Sequence, residues 1–210
     1  MKKFFIIIHF FIFSSYLFAE SYLFPAKDIK EIDIVINNGT INIKSANVKD
    51  IAIDITPSKS PSTDRQISVK DRELNVYLID SEITDKTIIN MTVPTTSNLE
   101  INSTVANINI NGLSGLLDID ATAGNVSITN FNGQLEIDSV DTPVKANGIF
   151  KSINIENTRA NIILTIDKLP TSYNYSIKGS GNILFNTAKN IEKNSISIDS
   201  HEFDGVFTLK

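Results

Sequence analysis

The sequence predicts an all-β fold: a single-stranded parallel β-helix (β-solenoid) of right-handed sense, with 18-residue coils of two strands each and irregular β caps. Three observations predict it. Apolar residues occur in pairs two apart, the pairs recur every nine residues, and a further apolar mark recurs every eighteen. The pairs are Leu99/Ile101, Ile108/Ile110, Leu117/Ile119, Val126/Ile128, Leu135/Ile137, Val144/Ala146, Ile153/Ile155 and Ile162/Leu164. A spacing of two is the strand period, so both side chains of a pair share one face. The i+3 and i+4 partners of a helix are missing. Leu113, Phe131 and Ile149 follow only every other pair, so the unit is a two-strand coil. Coils along one continuous path stack their strands in parallel.

Each coil turns about five apolar residues inward, each contributing on the order of 1.5–3 kcal/mol when fully buried. Ordering its backbone costs roughly 1–2 kcal/mol per residue. One coil cannot stand alone, and stacking on its neighbours must supply the difference.

Along the chain, residues 1–19 read as a signal peptide. Lys2 and Lys3 precede the apolar run Phe4 to Phe18, and Ala19 stands before the polar Glu20. That run is short of the roughly 20 residues a membrane span needs, so no transmembrane span is expected in the mature chain. The alternative is an uncleaved anchor, because Leu17 occupies a position where a small residue is usual. Residues 20–98 form an N-terminal β segment and cap. Here Ile32/Ile34 and Ile41/Ile43 keep the nine-residue step around the turn Asn37-Asn38-Gly39-Thr40, and Ile51/Ile53/Ile55 follow. The run from Pro57 to Asp64 reads as an exposed loop. Leu74/Val76/Leu78 and Ile89/Met91/Val93 resume alternation.

Residues 99–165 are the regular coils. Gly112, Gly115, Gly124 and Gly133 mark turns or close backbone approaches. Residues 166–210 hold longer coils and a cap, with pairs Tyr175/Ile177, Ile183/Phe185, Ile196/Ile198 and Phe207/Leu209. Loops lengthen at 166–174 and 186–195, and the only helical signal is one turn near 187–193.

Composition narrows the function classes. The 210 residues include 19 Lys and Arg against 24 Asp and Glu, for a net charge of −5, and no Cys. Without Cys there is no disulfide scaffold, thiolate metal site or Cys nucleophile. An acidic balance argues against a nucleic-acid partner, which needs a basic face.

Three segments carry a resemblance: Asn38-Gly39-Thr40-Ile41-Asn42-Ile43, the strand Ile89 to Pro94 leading to Leu99-Glu100-Ile101, and the glycine-punctuated pairs that follow. Most of residues 30–210 resembles the bacterial putative adhesin families of strand-repeat proteins, including the head-GIN-domain putative adhesins. The resemblance implies a β-helix on an exported protein and carries over no catalytic residue. The chain departs from the pattern at Thr142-Pro143-Val144, where one turn lacks glycine.

Outward positions of successive coils form ladders. One arm carries Glu100, Asp118, Asp120, Glu136, Asp138 and Glu156, with Asn102 and Asn154 among them. The other carries Asn107, Asn109, Asn111, Asn125, Ser127, Thr129, Lys145, Asn147, Asn161 and Thr165. Carboxylates about 5 Å apart repel by roughly 0.8 kcal/mol per pair even in water. The acidic arm therefore reads either as a surface for cations or a basic partner, or as a solvated face that resists edge pairing. Gly112-Leu-Ser-Gly115-Leu-Leu-Asp118 lacks the spacing of a calcium β-roll repeat. A lone mature-chain His201 leaves no triad or multi-His metal site, and Arg65, Arg72 and Arg159 stand singly.

The expected function is a non-enzymatic, exported binding or adhesion module of the periplasm, outer surface or extracellular space, without a cofactor. Its partner would be a surface protein or glycan. The alternatives are a structural envelope protein without a dedicated ligand and a polysaccharide-acting β-helix enzyme. The second would need a carboxyl set in a cleft.

Overall fold

A computed structural model describes residues 20–56, 63–80, 87–168, 171, 173–179, 183–187 and 196–199. The expectations for the targeting segment, most of the loop after Pro57, the helical turn near 187–193, His201 and Phe207/Leu209 lie outside the described residues.

The chain is all-β. Its strands are β1 (Glu20–Pro25), β2 (Glu31–Ala46), β3 (Asp50–Thr56), β4 (Thr63–Lys70), β5 (Glu73–Asp80), β6 (Thr87–Pro94), β7 (Asn98–Asn111), β8 (Leu116–Asp141), β9 (Val144–Asn157), β10 (Ile162–Ile166), β11 (Asn174–Gly179), β12 (Ile183–Thr187) and β13 (Ile196–Asp199). One 3-10 turn, Ala26–Asp28, follows β1.

These strands form one unclosed sheet organised as two ladders, and the long strands β2, β7, β8 and β9 contribute to both. In the first ladder Leu74 pairs with Ile32, Ile32 with Leu99 and Leu99 with Leu117, all in parallel. Further along, Leu135 pairs with Ile153, and Ile153 with Tyr175. In the second, Ile108 pairs with Val126, Val126 with Val144, Val144 with Ile162 and Ile162 with Ile183. The expected 18-residue offset is thus the register of β7 on β8 and, bulges aside, of β8 on β9.

Every residue of the eight apolar pairs is at most 2% exposed. A slip of one position would turn all of them outward, so burial and register agree. Backbone approach explains two glycines. A Cβ on Gly133 would lie 2.0 Å from the Gly115 carbonyl oxygen, and one on Gly124, with φ +121°, would lie 1.8 Å from that of Ala106.

The structure corrects three details. The N-terminal segment is partly antiparallel, in the pairings β1–β3, β3–β6 and β4–β5. Thr63 and Asp64, expected in the loop, open β4. At the corner marked by Leu113 and Phe131 the third buried residue is Phe150, not Ile149. Register shifts between Ile128 and Phe131 and between Gly133 and Gln134 change the local count, and Phe150 takes the inner place with its ring 5.5 Å from that of Phe131.

The glycine-less turn keeps its path by other means. Thr142 is fully buried, its hydroxyl donates to the Ala121 carbonyl at 3.4 Å, and its own carbonyl accepts from the Asn157 amide at 2.7 Å. The same amide reaches the Ser139 hydroxyl at 2.8 Å, so these buried polar groups satisfy one another, as burial requires.

Candidate functional site

Strand alternation builds the acidic face. With Leu99 and Ile101 inside, Glu100 and Asn102 must point out, and the same holds for Asp118 and Asp120, Glu136 and Asp138, and Asn154 and Glu156. Parallel register then aligns them into two rows. Asp33 pairs with Glu100 and Glu100 with Asp118. Asn102 pairs with Asp120, Asp138 with Glu156, and Glu156 with Lys178. All six carboxylates singled out from the sequence therefore share one face of the first ladder. Asp118 and Glu136 are half-buried, and Glu100, Asp120, Asp138 and Glu156 are exposed.

Crowding of like charges perturbs this face. Partial burial, then the charges of Glu136, Asp120, Glu100 and Asp138, push the Asp118 carboxyl up from 3.8 to about 6. Asp138 is raised as well, by burial first and then by Asp120, Glu156 and Glu136, with Lys178 acting the other way. Amides and one amine soften the repulsion. Asn154 donates to Glu136 at 3.0 Å, Asn102 to Glu100 at 3.2 Å, and the Lys178 amine lies 3.8 Å from Glu156.

Two members of the face were not singled out in the sequence. Asp33 accepts a 2.6 Å hydrogen bond from the Tyr77 hydroxyl, and that bond, with burial, pushes Tyr77 up to about 12. The other Asp33 carboxylate oxygen is buried and makes no hydrogen bond. Lys178 enters through the pairing of β11 with β9. The pairs Ile32/Ile34 and Tyr175/Ile177 were the available signals, since the residues between and beside them face outward.

The amide arm behaves differently, because its side chains are occupied with one another. Asn42 donates to Asn90 at 2.9 Å, Asn109 to Asn42 at 3.0 Å, Asn125 to Asn107 at 3.0 Å, and Asn130 to Asn111 at 2.9 Å. Asn147 accepts from the Asn130 backbone at 2.9 Å and donates to Asp167 at 3.1 Å. Of the arginines, Arg65 meets Glu20 at 3.4 Å and Arg159 meets Asp141 at 2.8 Å.

An open groove of about 780 Å³ borders the acidic face and was not foreseen. Asp120, Asp138 and Glu156 line it, whereas Glu100, Asp118 and Glu136 do not. Among the described residues no group of three or more His, Cys, Asp or Glu is placed to hold a metal ion. Among them, too, no helix is long and apolar enough to cross a membrane.

Comparison with solved structures returns proteins described as adhesins. One is a putative cell adhesion protein from Clostridium sporogenes, 12% identical, with a TM-score of 0.38 over 91% of this chain and 98% of that one. Another is a putative adhesin from Bacteroides fragilis, also 12% identical, with a TM-score of 0.41 over 91% and 95%. A putative adhesin from Parabacteroides merdae is 16% identical, with a TM-score of 0.28 over 91% and 95%. These neighbours bear the description of the family that the sequence resembles. No family model matches the chain, and no curated protein does.

Proposed function

We propose that the chain is a β-solenoid acting as a non-enzymatic adhesion or binding module, exported to the cell envelope or surface. The observation that carries this reading is the continuous acidic face, two rows to which each repeat adds a rung, with a groove along its border. Repeat folds present such extended faces to macromolecular partners. An enzyme would set a carboxyl apart in a cleft beside a second reacting group. Here Asp120, Asp138 and Glu156 stand exposed in one row along an open groove, an arrangement suited to many weak contacts.

Beads coated with residues 20–210 test the reading. Retention on immobilised proteins or glycans, above that of albumin-coated beads, is the expected result. Retention on none of them would favour a structural envelope role, the reading that the self-satisfied amide arm supports.

A further inference from the structure

The groove beside the acidic face has a simple origin in the sequence. It crosses six neighbouring segments, from Ile79 of β5 through β2, β7 and the two halves of β8 to β9, at the corner that ends the first ladder. In β2 the corner residue is Ile36. Register places Ser103 beside Ile36 and Ala121 beside Ser103, and Ser139 holds the corner one repeat later. These short side chains leave a trough. Before each short residue stands Asn102, Asp120 or Asp138, and Glu156 continues the same row. At its floor the Ser103 hydroxyl oxygen is buried and makes no hydrogen bond.

We propose that this groove binds an extended lysine- or arginine-rich peptide segment of a partner, with its cationic side chains against Asp120, Asp138 and Glu156. The inference rests on the binding-module reading and names the site and the ligand chemistry. Neighbouring strands in a sheet, and so successive carboxylates of this row, lie about 4.8 Å apart, and alternate side chains of an extended peptide about 6.6 Å apart, a mismatch that flexible Lys and Arg stems absorb. The methyl groups of Ala121 and Val140 receive those stems, and among the described residues no aromatic platform for sugar rings lines the groove. The backbone groups of these segments are committed to parallel neighbours, so recognition runs through side chains and not strand addition. The buried Ser103 hydroxyl beneath the groove has hydrogen-bonding capacity that the protein leaves unused. Cations also relieve the repulsion from Asp120 and Asp138 that, after burial, adds to the raising of the Asp118 carboxyl.

The test uses residues 20–210 and a fluorescent oligolysine of about eight residues, read by anisotropy at physiological salt. The wild-type protein is expected to bind it and to ignore oligoglutamate. The triple variant Asp120→Asn/Asp138→Asn/Glu156→Gln is expected to weaken binding at least about tenfold. A control with the same net charge, Asp28→Asn/Asp50→Asn/Asp71→Asn at exposed positions, is expected to change it less than about twofold. Thr122→Trp fills the groove from an exposed position without altering charge, and it too is expected to weaken binding.

Absence of wild-type binding, equal losses in the two triple variants, or unaltered binding by Thr122→Trp would each overturn the proposal. Beads carrying the wild-type protein separate this inference from the reading beneath it. Bead retention without oligolysine binding overturns the groove and leaves adhesion standing. Groove-dependent oligolysine binding by a protein whose beads are retained nowhere overturns adhesion and leaves the groove.

Discussion

The side-chain amide of Asn109 donates to that of Asn42 at 3.0 Å, although 67 residues separate them. Between Asn125 and Asn107 of the same arm the separation is 18. The longer interval exists because β3 to β6 leave the path after Ala46. β6 returns to pair with β2 on one side while β7 pairs with it on the other. The Asn42 row thus joins the cap to the repeats.

The register can be tested by placing one charge at two adjacent positions. Ile128→Asp, at a fully buried site, is expected to lower the unfolding free energy by about 3–5 kcal/mol. Ser127→Asp, on the outer face, is expected to change it by less than about 0.5 kcal/mol. Urea denaturation of both variants checks this, and equal effects would sink the assignment of faces.

The acidic face predicts a stability that depends on pH. Asp118 holds its proton more tightly in the folded protein, at about 6, than at its ordinary 3.8. Between those values the folded state binds more protons, so this group favours folding increasingly as pH falls through 6 toward 4. Asp118→Asn is expected to flatten that part of the profile and to raise the melting temperature at neutral pH. A melting series across the interval, for both proteins, decides it.

Calcium and monovalent salt are expected to raise the melting temperature alike at matched ionic strength, because screening alone relieves the repulsion between Asp120 and Asp138. Calcium prefers six to eight oxygens, which two rows of separate carboxylates do not gather. A calcium-specific shift surviving in high salt, and lost in Asp120→Asn/Asp138→Asn, would establish a cation site on this face.

Export is expected to yield a mature chain that begins at or near Glu20. N-terminal sequencing of the extracytoplasmic fraction measures this. Recovery only as a full-length membrane-bound chain would favour an anchor.

Much of the repeat region was legible because its strand alternation and its 18-residue spacing coincide from Leu99 to Leu164. Where they part, reading fails. Phe150 takes the place expected of Ile149 because a bulge changes the count between two intact pairs. Asp33 joins Glu100 only through a pairing that skips the inserted strands β3 to β6. The groove was invisible for another reason. Ser103, Ala121 and Ser139 lie at a corner, where alternation no longer says which way a side chain points. The six carboxylates lie within regular strands, where alternation does say which way a side chain points.

The 18-residue register has a mechanical consequence. In β7 to β9 each segment is held chiefly by the neighbour one repeat away, so tension applied along the chain loads one layer at a time. Each layer that peels away releases about 60 Å of slack as its residues extend. A surface-attached protein of this build would lengthen in steps under flow and dissipate work at each one, while the remaining layers kept their hold.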